Sequence, residues 1–472
     1  MTDDSPSYPT RAPGYSPLTS QIRRQLVDAL GESAVIEDPE KCRPFARDAT
    51  QWTYFPEMVV AATSVEQVQT LMRLANRWHF PVTPRGLGTG LTGGALPIAG
   101  GVVLSLARMN RILSIDGRNR VAIVEPGVVT GEFKNSVRQQ GLFYPPDPAS
   151  LDTCSIGGNA ATTAGGPSCV KYGTTRDYVL GLEAVLPSGE IIEAGVQTRK
   201  GVVGYDLVHL LVGSEGTLGI ITKLILKLLP HPPALTTLVA MFSRLSVAMQ
   251  AVIGVLTRGH LPCAMEFLDY RCLELVDDLL PFEGVDQAEA LLLIEVDGHP
   301  ECIQMEIERI GEVCLEHDAI SVLLAPDANK RAQLWDVRKQ VSLRIEHESP
   351  VYIPEDVVVP IGYIADLVEA LPEYERTYNI KVYCFGHAGD GNIHLNITAS
   401  NPNARSQVEA AVEAILRKVL AMGGTISGEH GIGMAKKRYL PLELSAPNIQ
   451  LQKQIKRLLD PNLILNPGKI FD

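Results

Sequence analysis

No Cys-x-x-Cys pair occurs among the 8 cysteines of this 472-residue chain, and no regular cysteine framework does either. That pattern argues for free thiols in a reducing compartment and against an iron–sulfur cluster held within the chain. There is no basic excess: the net charge is -12, so nothing is available to neutralise a nucleic-acid backbone. The opening MTDDSPSYPTRAPGYSP lacks an apolar h-region and does not read as a secretory signal. Long uncharged apolar runs are missing too, because Lys223 and Lys227 interrupt the best candidate, LGIITKLILKLLP. Long-period repeats and low-complexity segments are likewise absent. These absences lead to the expectation of a cytoplasmic globular protein with no membrane span and no nucleic-acid partner.

What is present is an α+β pattern too long for one core. A lead over residues 1–17 precedes a helix in LTSQIRRQLVDALG, with Leu18, Ile22, Leu26 and Leu30 on one face. In SVEQVQTLMRLANRW, Ser64 and Gln67 fit a capping box. Strand-like runs punctuated by Gly and Pro follow, up to the proline cluster LPHPPAL at 229–235, where a boundary is expected. Beyond it strands alternate with longer helices, which predicts a second α+β domain whose helices cover one face of a sheet. The expected divisions are residues 1–40 for the lead and first helix, 41–232, 233–424, and a closing segment 425–472.

Four loops stand out by glycine content. PRGLGTGLTGG starts at Pro84, YPPDPAS spans 144–150, SIGGNAATTAGG spans 155–166 and VGSEGTLGIIT spans 212–222. Glycine lets backbone approach a ligand closely and take positive φ, so successive N–H groups can cup an anion. Neither a GxGxxG opening a βαβ unit nor a GK[ST] sequence is among them. One such loop is as well explained by a tight turn. Four in one domain fit the surround of an extended, pyrophosphate-containing cofactor. A different signal is GHAGDGNIH at 386–394, where His387 and His394 flank a polar turn. Two histidines alone are more often satisfied hydrogen-bonding groups than ligands.

Together with SGEHGIG and DPNLILNPGK, these motifs occur in the order seen in a known family. From about residue 40 onward the chain resembles the FAD-linked oxidases related to vanillyl-alcohol oxidase. It is most similar to the branch holding D-lactate dehydrogenases, the glycolate oxidase flavin subunit and D-2-hydroxyglutarate dehydrogenase. The resemblance implies a PCMH-type FAD-binding domain of two α+β subdomains, plus a C-terminal α+β cap domain with an antiparallel sheet facing the flavin. It further implies that Arg85, Gly86, Leu87, Gly88, Thr89, Gly90, Thr92, Pro146, Gly157, Asn159, Ala160, Gly219, Ile220 and Asn466 line the FAD. Covalent flavin attachment in such proteins commonly uses a histidine in the first Gly-rich loop, where this chain has Leu87, so non-covalent FAD is expected.

The same resemblance gives the two histidines a third partner. Glu429 would complete a His387–His394–Glu429 metal site, and nitrogen plus carboxylate ligation suits Zn, Fe or Mn. His430 resembles the base that takes the substrate hydroxyl proton, while Asn392 and Arg338 match positions that contact substrate. Asp390 is read two ways, as an acceptor orienting a ligand histidine or as a stabiliser of the GDGN turn. Ile353 stands where the dicarboxylate-specific branch has a lysine, which disfavours a second substrate carboxylate. The expected activity is oxidation of a small D-2-hydroxy acid, with D-lactate favoured and glycolate included, to the 2-oxo acid. The alternatives are a D-2-hydroxyglutarate dehydrogenase and a non-catalytic FAD electron-transfer subunit of a glycolate-oxidase-like complex. An electron-transfer flavoprotein, an iron–sulfur subunit, a cytochrome or quinone remain open as acceptor, and so does a homodimer.

Overall fold

In the computed structural model, which describes residues 12–280 and 287–471, the chain forms two compact units. Residues 1–11 of the expected lead lie outside the described residues. The first unit comprises residues up to Ala164, Thr174–His231 and Glu429–Asp472; the second comprises Gly165–Gly173 and Pro232–Gly428. The break between His231 and Pro232 falls inside the proline cluster. Gly165–Gly173, the end of the third Gly-rich loop, belongs to the second unit, which no feature of the local sequence announces.

The first unit is built on two sheets. Strands β1 (Val35–Ile36), β2 (Met58–Ala61), β3 (Val82–Arg85) and β4 (Val102–Ser105) form one, in the order β1-β2-β4-β3. Strands β5 (Ile112–Asp116), β6 (Val121–Val124), β8 (Val179–Val185), β9 (Ile191–Gly195) and β10 (Ile220–Lys227) form the other, in the order β5-β6-β10-β8-β9. Between them in sequence, β7 (Leu142–Phe143) pairs with β11 (Leu229–Pro230). β2, β4 and β3 are parallel; β2 and β4 are buried at every residue and are mainly apolar, as strands covered on both faces are.

Helices α1 (Ser20–Leu30) and α2 (Val65–Trp78) supply the apolar stripes that cover this sheet. Ile22, Leu26 and Leu30 are buried, as their spacing predicts. Only half of the expected capping box forms at α2. The Ser64 hydroxyl accepts from the Gln67 amide at 3.5 Å, but the Gln67 side chain caps the Thr63 amide at 2.8 Å instead of reaching Ser64. The short helix α3 (Ile156–Thr162) starts at Ser155, whose hydroxyl accepts from Gly158 N.

The second unit is one antiparallel sheet of seven strands. β12 (Ala234–Phe242), β13 (Ala264–Asp269), β14 (Ala290–Gly298), β15 (Ser321–Leu324), β16 (Val351–Val358), β17 (Lys381–His387) and β18 (Asn392–Ala399) run in the order β15-β12-β14-β13-β17-β18-β16. Helices α4 (Leu245–Thr257), α6 (Pro300–Glu316), α8 (Ile364–Tyr378) and α9 (Arg405–Ala421) pack on one face. The sequence reading put helices on one face only. The other face is covered as well, by α5 (Tyr270–Val276) and α7 (Ala328–Glu348), with Cys272, Leu334, Val337 and Val341 buried against Leu268, Leu291, Leu293 and Phe385. A last helix, α10 (Ala446–Leu459), belongs to the first unit.

Candidate active site

Within the first unit the Gly-rich loops converge. A Cβ on Gly86 would sit 2.5 Å from the Ser155 hydroxyl, and one on Gly157 would sit 2.4 Å from the Pro126 side chain. Only glycine admits such approach. Gly157 N donates to Pro126 O, Gly213 N to Ala160 O, and Glu215 N to Ala161 O, so the third and fourth loops are stitched together by backbone. Asn159 gives its amide to the Thr130 hydroxyl at 2.8 Å. Gly219 and Ile220 lead into β10, with Ile220 buried. Leu87, Gly88 and Thr89 are half-buried, Gly90 is exposed, and Pro146 is buried with its carbonyl accepting from Lys134.

The tail closes on this cradle. Asn466 donates to Gly94 O and Glu215 O, and Lys469 donates to Gly93 O and Leu96 O. Glu215, which sequence reasoning passed over, accepts from Ile432 N at 2.8 Å and Gly433 N at 2.7 Å. It thereby ties the fourth loop to the SGEHGIG motif. The Thr92 hydroxyl donates to His430 O. Two buried polar atoms, Arg85 Nη1 and Asn466 Oδ1, have no partner among the described residues. A buried donor and a buried acceptor beside a glycine-lined cradle fit a polar, phosphate-bearing cofactor such as FAD.

In the second unit a row of side chains crosses the sheet. Cross-strand partners share a face, and β13, β17, β18 and β16 bring Glu266 opposite His387, His387 opposite Asn392, and Asp356 opposite His394. The rings of His387 and His394 are perpendicular with centroids 5.1 Å apart. His387 Nδ1 lies 2.5 Å from Glu266 Oε1. Arg338 on α7 reaches the other Glu266 oxygen, its Nε donating at 2.9 Å, while its guanidinium lies 4.3 Å from the Phe385 ring centre. Burial pushes the Glu266 carboxyl up, but His387 and Arg338 outweigh it and hold the group below its ordinary value.

Asp356, fully buried, accepts from Asn392 Nδ2 at 2.6 Å and from Gly428 N at 2.9 Å. It therefore fixes both histidine-motif turn and SGEHG motif. Glu429 and His430 follow Gly428 by one and two peptide bonds, at the point where the chain leaves this unit. His387 and His394 lie on this unit's sheet, and Asp356 holds Gly428, the residue that precedes Glu429 in the chain. Two neighbouring imidazoles, one already anchored through its second nitrogen, suit a zinc, iron or manganese ion.

Asp390 accepts from Asn392 N within the turn, the second of its two readings, and Glu266 lies on His387 Nδ1. Ile353 pairs with Ile397 and alternates onto the sheet face opposite the one that carries Asp356 and His394. The residues that β16 turns toward the histidines are Tyr352, Pro354, Asp356 and Val358, none of them cationic. Glu266 and Asp356 were missed because their partners are remote in sequence.

A cofactor cradle of glycine loops in an α+β unit, joined to a seven-stranded antiparallel unit, defines a flavin-dependent oxidoreductase of the PCMH type. Residues 56–195 match the FAD binding domain and 231–470 the C-terminal domain of FAD linked oxidases. The chain belongs to the FAD-linked oxidase family and binds FAD. It is 39% identical over 457 residues to a glycolate oxidase subunit of Bacillus subtilis, covering 96% of this chain and 97% of that one. To a D-lactate dehydrogenase of Anaerostipes hadrus it is 40% identical, covering 88% and 89%. A D-2-hydroxyglutarate dehydrogenase of Xanthomonas citri is 37% identical, with 92% and 93% covered. Among solved structures, p-cresol methylhydroxylase with bound substrate superposes with a TM-score of 0.80 at 18% identity, covering 98% and 99%. 4-Ethylphenol oxidase from Gulosibacter chungangensis reaches 0.78 at 20% identity, covering 98% and 99%. These two likenesses establish the fold alone. The protein is thus an FAD-linked oxidoreductase of the glycolate oxidase, D-lactate and D-2-hydroxyglutarate dehydrogenase type. No helix among the described residues is long and apolar enough to cross a membrane.

Proposed function

We propose that the protein oxidises a small D-2-hydroxy monocarboxylate, D-lactate or a close relative such as glycolate, to the 2-oxo acid. The observation that carries this reading is the pair His387 and His394, ring centroids 5.1 Å apart, with Glu266 on His387 and with Asp356 holding Gly428 just before Glu429. Bound FAD supplies the acceptor for the substrate α-hydrogen and its electron pair, and a divalent ion held by His387, His394 and Glu429 supplies a Lewis acid for the hydroxyl. His430, next to Glu429 with Nε2 3.8 Å from its carboxylate, takes the hydroxyl proton. Asn392 has given its amide nitrogen to Asp356 and Val357 O, so it presents its oxygen to substrate and suits a hydroxyl hydrogen. Arg338, held by Glu266 through Nε, presents its Nη1 side to the substrate carboxylate.

The monocarboxylate preference rests on β16. A second carboxylate facing Tyr352, Pro354 and Asp356 would find an acid where it needs a cation. A partner protein or quinone takes the electrons onward, and the Bacillus relative, named as a subunit, supports a partner. All eight cysteines are thiols, which supports a reducing, cytoplasmic setting.

Anaerobic flavin bleaching in a stopped-flow instrument tests the reading. D-Lactate should bleach the flavin at least about tenfold faster than D-2-hydroxyglutarate, since an unpaired buried charge costs more than about 1.4 kcal/mol. Faster bleaching by the dicarboxylate would overturn the substrate assignment. His430→Ala should slow bleaching by about 10²–10⁴-fold; unchanged rates would remove His430 from the role of base.

A further inference from the structure

We infer that Glu266 is a positioning residue for the metal site: it holds His387 through Nδ1 so that Nε2 is the nitrogen turned to the ion. The inference rests on the metal reading above. Its starting point is an energetic oddity. Glu266 is 1% exposed on β13, in the interior of a seven-stranded sheet, with Leu268 next to it on the same face and Leu293 opposite. An ionised carboxylate there is expensive unless paired, and an apolar side chain of similar size would serve the sheet's stability as well or better. Stability therefore gives no reason for an acid at this position.

The geometry gives one. Glu266 Oε1 lies 2.5 Å from His387 Nδ1, and Glu266 Oε2 takes the Arg338 guanidinium at 2.9 Å. β13 and β17 place Glu266 directly opposite His387, so the contact is built into the sheet's register. A carboxylate on Nδ1 keeps the proton there, which leaves the Nε2 lone pair for a metal and raises its basicity. Arg338 completes the arrangement. By compensating the carboxylate from the helix side, it keeps Glu266 ionised against Leu334, Val337 and Leu293, where low polarity strengthens the bond to His387. Asp390 is closer in sequence to both histidines, yet it is engaged in its own turn.

The test is zinc and cobalt binding by the FAD-loaded, metal-stripped protein, read by chelator competition and by the visible absorption of bound Co²⁺. Glu266→Gln should weaken Zn²⁺ binding by about 10–100-fold and change the Co²⁺ spectrum, with flavin content as the folding control. Glu266→Asp keeps the charge but withdraws it by one methylene, and should lose less. Parent-like Zn²⁺ affinity in Glu266→Gln overturns the inference. If the Gln variant fails to load FAD, the Asp variant decides: weakened Zn²⁺ binding supports the role and parent-like binding overturns it. A parent protein that binds none of these ions sinks the metal reading itself, and this inference falls with it.

Discussion

The two units build their sites from opposite materials. In the first, the cradle is backbone: Gly86 and Gly157 pack where any side chain would collide, and neighbouring loops are joined by main-chain hydrogen bonds. In the second, the site is made of buried side-chain charge, with Arg338, Glu266 and His387 in one chain of contacts and Asp356 holding Asn392 and Gly428 in another. The contrast follows the ligands. A long cofactor with a pyrophosphate is matched by many weak N–H donors spread over loops. A small ion and a small acid need a few strong groups, and each buried charge then needs a partner of its own.

The sharpest break of the comparison should come from the backbone side. An alanine at Gly157 would put its Cβ 2.4 Å from Pro126 Cβ and 2.9 Å from Pro126 Cα and O, atoms that cannot swing away. We expect Gly157→Ala to displace the start of α3 and lower the flavin-to-protein ratio of the purified enzyme about tenfold or more, overpacking of this kind costing about 1–3 kcal/mol. Retention of full flavin content would mean that the glycine marks only a turn.

The same contrast explains what could be read from the sequence. Glycine loops are local, so their number and order are visible in PRGLGTGLTGG and SIGGNAATTAGG without a structure. His387 and His394 are visible for the same reason, lying on either side of one turn. Glu266 is not: it lies 121 residues from His387 and 72 from Arg338, and in sequence it is one acid in an ordinary strand. The face that Ile353 takes is not visible in the sequence either, because a one-residue shift in register moves a side chain to the other face. The assignment of Gly165–Gly173 to the second unit also depends on distant contacts. Lys171 reaches Asp297, and Val170 fills the space beside Gly389. Local chemistry is legible; long-range pairing of charges is not, because nothing near either partner announces it.

A smaller effect should come from Asp356, which separates the two kinds of site construction more finely. Asp356→Asn keeps the shape but turns one acceptor into a donor facing Asn392 Nδ2 or Gly428 N. A buried donor left without an acceptor costs about 1–3 kcal/mol. The denaturation midpoint should fall accordingly while flavin content stays at the parent level, because the cradle does not use Asp356. Loss of flavin from this variant would show that the two sites are not independent in the way their construction suggests.

The last and mildest expectation concerns Lys469, one of the charged groups, with Arg85 and Glu215, that the backbone-built cradle does contain. Burial pulls its ammonium down from the ordinary lysine value to about 7, against the pull of Asp48 and Glu215. The sign follows from proton counting. Between pH 7 and about 10 the unfolded chain holds a proton on this lysine that the folded chain has released, so stability rises with pH across that window and is lowest below it. Lys469→Met removes the group and should flatten the rise of the thermal midpoint between pH 7 and 10. It should also loosen the tail somewhat, since the bonds to Gly93 O and Leu96 O go with it. Equal slopes in parent and variant would show that the lysine stays charged in the fold, held by Asp48 and Glu215. The cradle would then use paired charge after all, as the histidine site does.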